Sequence, residues 1–232
     1  TVQHPDTLRY YRIYRHVLGQ DPSKDTLVYE EKDEEFNCFV QKSKSKKFLF
    51  IGSEQTLSTE YRYLSADDPN GTFTVLLPRE ENHEYGVDHY RDHFYIRTNW
   101  EAENFRLMKT PVGATGKEHW VDVVPHRKEV FLDNFEIFKE HLVVQERSQA
   151  LIHLRIIPSN GEAEHMLVFD EPVYAAGLDQ NPEFDTQLLR YSYTSLTTPR
   201  SVYDYDMKTR KKTLLKRIEV LGGFEPEQYK TE

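Results

Sequence analysis

The sequence predicts an all-β chain: a β-propeller segment of about four and a half four-stranded antiparallel blades. Three observations lead there. Apolar segments are short, rich in Val, Ile, Tyr, Phe and Thr, and bounded by turn residues, which is the strand signature. Matching segments recur after roughly 45 residues, a propeller-blade spacing. Each recurrence keeps the same internal plan of four strands.

The chain opens with a partial unit, residues 1–35, holding strands at Tyr10 to Val17 and Thr26 to Tyr29; Thr1-Val2-Gln3 reads as the tail of another strand. The unit 36–82 supplies Phe36 to Val40, Lys47 to Ile51, Glu60 to Leu64 and Phe73 to Leu77. The unit 83–130 gives Tyr85 to His89, His93 to Arg97, Phe105 to Lys109 and Trp120 to Val124. In 131–173 the strands are Phe131 to Phe138, His141 to Gln145, Leu151 to Ile157 and Met166 to Phe169. In 174–220 they are Tyr174 to Leu178, Leu188 to Tyr193, Ser201 to Asp206 and Lys212 to Lys216. Turns fall at Asn70-Gly71, Gly113 to Gly116, Asn160-Gly161 and Asp206 to Thr209, where Asn and Gly supply the positive φ of tight hairpins. Blades hide their faces against one another, so none is stable alone. A β-sandwich with coincidental spacing is the competing architecture. Residues 221–232 read as an exit linker toward a further domain, and both ends of the chain read as cuts through a longer protein.

Composition narrows the function. Of 232 residues, 30 are Lys or Arg and 39 are Asp or Glu, a net charge of -9 that excludes a basic nucleic-acid surface. The 15 Tyr and 13 Phe supply large burial units and argue against disorder. One cysteine rules out a disulfide framework and fits a cytoplasmic setting. No apolar run approaches the ~20 residues of a membrane span.

Catalytic signatures are missing. There is no Gly-x-Ser-x-Gly elbow; Gly52-Ser53 stands alone. Cys38 lies in an apolar strand, where a buried inert thiol is expected. No Gly-rich phosphate loop occurs, and no cofactor is implied. His83, His89 and His93, with Glu84 and Asp88 nearby, could suggest a metal, but they fall on a strand-turn-strand segment. They are expected to bond backbone groups at blade rims. The run Glu30, Glu31, Lys32, Asp33, Glu34, Glu35 joins two units, either as a solvated loop or as an acidic rim steering cationic ligands. First strands should line the central channel, offering Asn37, Cys38, Asp88, Asp133, Asn134 and Glu136. That set is polar but makes no evident catalytic pair for a propeller glycosidase or lactonase.

Four stretches carry a resemblance: Tyr14 to Gly19 with Asp25 to Asp33; His83 to Tyr90 with Phe94 to Asn99; Leu189 to Pro199; and Gly222 to Tyr229. Together, in order, they resemble the propeller of the oligopeptidase B group in the prolyl oligopeptidase family of serine peptidases. The resemblance implies a seven-bladed propeller paired with an α/β-hydrolase domain in the same chain. It implies cleavage of short peptides after Arg or Lys by a Ser-Asp-His triad in that other domain. No catalytic residue carries onto any position here, and the segment alone is expected to hydrolyse nothing. The expected partners are the hydrolase domain, short basic peptides, and another copy through open blade edges. The alternative is a free-standing propeller that binds proteins or peptides. A Gly-x-Ser-x-Gly motif encoded beyond Glu232 would separate the two readings.

Overall fold

The computed structural model describes residues 1–223, 225 and 228–230. Part of the expected exit linker, including Phe224, Pro226 and Glu227, lies outside the described residues. The chain forms two compact units, one of Thr1–Ala102 with Arg106–Pro125, the other of Glu103–Phe105 with the chain from His126 onward.

The first unit holds three sheets. Strands β1 (Val2–Gln3), β2 (Tyr10–Arg15) and β3 (Thr26–Glu30) form a three-stranded sheet. Strands β4 (Asn37–Lys42), β5 (Phe48–Gln55), β6 (Ser58–Ser65) and β7 (Thr74–Leu77) form a four-stranded one. So do β8 (Tyr85–Tyr90), β9 (His93–Thr98), β10 (Arg106–Pro111) and β11 (Val121–Val124). The second unit holds two more four-stranded sheets. One is β12 (Phe131–Ile137), β13 (His141–Ser148), β14 (Leu151–Pro158) and β15 (His165–Met166). The other is β16 (Ala175–Leu178), β17 (Leu188–Thr194), β18 (Ser201–Asp206) and β19 (Lys212–Arg217). Every sheet is an antiparallel meander of consecutive strands, as the fold class requires.

Alternation explains the strands. In β9, Phe94, Ile96 and Thr98 are fully buried while His93, Tyr95 and Arg97 are half-exposed, the period of two that a pleated strand imposes. Within the first unit, β2 packs on β4 and β6 on β8; within the second, β14 packs on β16. In the four-stranded cases a third strand meets the first strand of the next sheet, so β2 occupies a third-strand place. The core between β4–β7 and β8–β11 is built on Phe50, Tyr61, Tyr85 and Phe94, aromatics worth about 1.5–3 kcal/mol each when buried.

Two local expectations are corrected. The strand expected over Met166 to Phe169 is only His165–Met166. Leu167 still donates to the Leu154 carbonyl at 2.9 Å, but Phe169 leaves the sheet and stacks on Tyr193 with centroids 5.2 Å apart. The strand expected to end at Ile51 runs on through Gly52 to Gln55; a Cβ at Gly52 would meet the Phe39 ring at 2.3 Å. One hairpin lacked any turn signal: Gln149 and Ala150 close β13 onto β14 with φ of 50° and 63°, although neither is Gly or Asn.

Candidate functional site

In an antiparallel meander, connections alternate between the two ends of the sheet. Links between the second and third strands therefore share an end with links from one sheet to the next. In the first unit this end gathers Glu31, Asp33 and Arg79 from sheet-to-sheet links and Glu60 from the start of β6.

Glu31 is buried. Tyr29 Oη donates to its Oε2 at 2.7 Å, Arg79 Nη2 at 2.7 Å, and the Asp33 amide to its Oε1 at 3.0 Å. Burial pushes its pKa up, but hydrogen bonds from Ser53, Tyr29, the Asp33 amide and Arg79 outweigh it and bring it down to about 2. Arg79 also lies 3.6 Å from Asp33 and 3.7 Å from Glu60, with its guanidinium 3.9 Å from the Phe36 ring centroid. Arg9 closes the loop from beneath, its Nη1 donating to the Asp33 and Phe36 carbonyls at 2.9 Å each. Glu30 pairs with Arg12 at 2.7 Å. The acidic run is therefore not one solvated strip. Glu30, Glu31 and Asp33 are matched by arginines, and Glu34 and Glu35 are exposed.

The polar residues of the first strands act as ties. Asn37 Oδ1 accepts from the Tyr10 amide at 3.1 Å, joining β4 to β2. Asp88 Oδ1 accepts from the Lys44 amide at 2.8 Å, joining β8 to the β4–β5 turn. In the second unit Asp133 is the extra residue of a bulge in β12 and accepts from Gln145, whose Oε1 accepts from the Leu178 amide at 2.8 Å. Exposed Asn134 caps the Phe135 amide at 2.8 Å, and Glu136 is half-buried on the same strand.

All three histidines meet side chains, and His89 also bonds the Arg91 backbone, as expected of a residue at a blade rim. His83 Nε2 lies 2.8 Å from Thr98 Oγ1, His89 Nδ1 is 2.7 Å from Ser45 Oγ, and His93 Nδ1 is 2.9 Å from Asp92. Burial is the main cause holding His83 and His89 down at about 4. Cys38 is buried, and burial pushes its thiol up to about 11, the state of an inert cysteine. Ser53 is fully buried, with its Oγ 2.9 Å from Tyr29 Oη.

Sequence reasoning missed two carboxylates. Glu146, buried on β13, takes Arg155 Nη2 at 2.6 Å and also pairs with Arg127. A signal existed for Arg155, the one Lys or Arg in the otherwise mostly apolar β14, but none for Glu146, which sits in the polar run Gln145 to Ser148. Glu171 accepts from Tyr193 Oη at 2.5 Å, Ser195 Oγ at 2.6 Å, Thr198 Oγ1 at 3.0 Å and Thr197 Oγ1. Burial raises its pKa, yet these hydroxyls bring it to about 2.

Comparison with known proteins places these features in a family. Residues 2–217 match the prolyl oligopeptidase N-terminal β-propeller domain. Dipeptidyl aminopeptidase BI of Pseudoxanthomonas mexicana is 43% identical over 229 residues, covering 98% of this chain and 31% of that protein. Protease 2 of Moraxella lacunata is 29% identical over 221 residues, 95% of this chain and 31% of that one. The structure of oligopeptidase B from Leishmania major aligns at a TM-score of 0.89 and 29% identity, covering 97% of this chain and 33% of that chain. The chain thus spans about a third of the length of these relatives. It belongs to the family of prolyl oligopeptidase N-terminal β-propeller domains.

Proposed function

We propose that this chain is the non-catalytic, access-gating propeller part of a serine oligopeptidase that cleaves short peptides after Arg or Lys. The likeness to oligopeptidase B at a TM-score of 0.89 carries the reading. In such an arrangement a propeller admits short or unstructured peptides and keeps folded proteins from the reacting groups, and closure excludes water. The net charge of -9 and the exposed Glu34 and Glu35 support long-range attraction of cationic peptides. The first strands, with Asn37, Asp88, Asp133, Asn134 and Glu136, are the proposed channel lining. The buried thiol and buried Ser53 support a chemically passive role. The partner is an α/β-hydrolase domain of the same chain, in a cytoplasmic setting; no described helix is long and apolar enough to cross a membrane.

The test uses the full-length protein carrying this chain. Reporter peptides ending in Arg or Lys are expected to exceed matched Gln peptides in kcat/KM by at least about tenfold, roughly 1.4 kcal/mol of transition-state binding. The same sequence within a folded protein should resist cleavage. Equal rates for Arg and Gln peptides would remove the specificity; absence of hydrolysis would favour the scaffold reading.

The name of the 43%-identical relative supports a second reading, release of dipeptides from free amino termini. Acetylating the peptide's amino terminus separates them: an endopeptidase keeps its rate, a dipeptidyl aminopeptidase loses it. Self-association through blade edges is opposed at the edge strand β19 by the charges of Lys212, Lys216 and Arg217. Light scattering that finds a monomer at all concentrations would end it.

A further inference from the structure

The second unit contains an open cavity of about 340 Å³, within the size range of small-ligand sites. Its wall is aromatic. Phe169 stacks on Tyr193 at 5.2 Å, Tyr191 stacks on Tyr203 at 5.3 Å, and Phe169 meets Tyr191 edge-on at 5.9 Å. Two parallel pairs locked edge to face make a rigid wall, with Tyr191 and Tyr193 buried behind the half-exposed Phe169 and Tyr203. The Glu171 clamp fixes it: four hydroxyls from Tyr193 and the 195–198 turn hold Glu171 directly beside the rings.

Charges of both signs line the same cavity. Arg217 donates from Nε to Ser201 Oγ and from Nη2 to Tyr203 Oη, both at 3.0 Å, and those bonds leave Nη1 unused. Lys212 Nζ stands 5.7 Å from the Phe169 centroid. Asp170, exposed, completes the lining on the acidic side.

This combination selects a ligand class. A cation is disfavoured over Phe169, because Lys212 already holds that face. A polyanion is disfavoured by Asp170 and Glu171. A single carboxylate on an aromatic or large apolar body suits Arg217 and Lys212 on one side and the rings on the other. An ammonium group on the same molecule suits Asp170. We infer that this cavity binds short peptides with free termini and an aromatic or large apolar C-terminal side chain, with the peptide carboxylate on Arg217. The inference rests on the peptidase reading only in choosing a peptide over another aromatic carboxylate.

Binding is measured by calorimetry on the full-length protein, after a sulfonyl fluoride has blocked its serine. Probes are the dipeptide Leu-Phe, its C-terminal amide, and benzoate. The acid should bind about tenfold tighter than the amide, and Arg217→Gln should remove that preference while leaving amide binding unchanged. Lys212→Gln, on an exposed strand, provides a second variant and should weaken the acid about threefold. Circular dichroism confirms that both variants fold. Equal affinity for acid and amide, or an unchanged acid affinity in Arg217→Gln, overturns the site. Benzoate binding as tightly as Leu-Phe overturns the peptide assignment. Failure of the sulfonyl fluoride to label the protein counts against the peptidase reading alone, since the titrations proceed on unlabelled protein.

Discussion

Glu31 and Glu171 occupy equivalent places and solve one problem in two ways. Each lies on the link from one sheet to the first strand of the next, Glu31 between β3 and β4, Glu171 between β15 and β16. Both are held at about 2 against the upward push of burial. Glu31 is held by the Ser53 and Tyr29 hydroxyls and the Asp33 amide, with the Arg79 guanidinium added; Glu171 is gripped by hydroxyls of Ser195, Thr197, Tyr193 and Thr198. A carboxylate can be kept ionised inside a protein by a counter-charge or by enough oriented dipoles. The two routes differ in what one mutation destroys. One arginine touches several carboxylates at once, so its loss is felt at all of them, whereas each hydroxyl serves one.

Arg79→Ala should therefore have the largest effect. It removes the cationic donor to Glu31, the nearby charge of Asp33 and Glu60, and the stack on Phe36. Breaking one side of a buried ion pair costs about 3–5 kcal/mol. Thr198→Val, which removes one hydroxyl of four, should cost about 1 kcal/mol. Urea unfolding of both variants compares the routes directly. A smaller loss for Arg79→Ala than for Thr198→Val would reverse the comparison.

Glu171→Gln comes next. The amide keeps one acceptor oxygen and turns the other into a donor, so two of the hydroxyls must reorient or lose their partner. The expected cost is about 1–3 kcal/mol. Thermal melts should place it between Arg79→Ala and Thr198→Val; a loss equal to Arg79→Ala would mean that Glu171 carries an ionic role the hydroxyls conceal.

These contrasts explain what the sequence made legible. Strand order was visible because apolar alternation is local: Phe94 and Ile96, or Leu189 and Tyr191, announce their sheet within a few residues. The sheet-to-sheet carboxylates were not, because their partners are distant. Arg79 is 48 positions from Glu31, and Thr198 is 27 from Glu171. The run from Glu30 to Glu35 looked uniform for the same reason. The fold sorts it into paired and exposed members through arginines that no window of the run contains. The hydrophobicity of Phe169 suggests a strand, but its ring is half-buried by stacking on Tyr193 outside the sheet.

Acid should separate the histidines from the carboxylates. Buried His83 and His89 sit near 4, below the ordinary imidazole value of 6.5, so the unfolded chain binds more protons between those values. Their contribution is whole above pH 6.5 and is lost as the pH falls toward 4. Glu31 and Glu171 sit near 2 against an ordinary 4.5, so their contribution is whole above 4.5 and is lost as the pH falls toward 2. Unfolding free energy should fall in two overlapping stages. His83→Asn should make the upper stage shallower, leaving the share of His89, and keep the lower one intact; an unchanged slope between pH 6.5 and 4 would contradict the assignment.

The smallest effect belongs to the exposed members of the acidic run. Glu34→Gln with Glu35→Gln touches no buried partner, and stability should stay within about 0.5 kcal/mol of the parent. Any consequence must act through the field. In the full-length protein, kcat/KM for a dibasic peptide should fall about twofold at low salt, with no change once ionic strength shortens the Debye length to about 3 Å at 1 M. Glu30→Gln, whose charge Arg12 already offsets, should leave that rate nearly unchanged. If Glu30 mattered as much as Glu34 and Glu35, the distinction between paired and unpaired carboxylates would have no bearing on steering. The acidic run would then act as the single patch its sequence suggests.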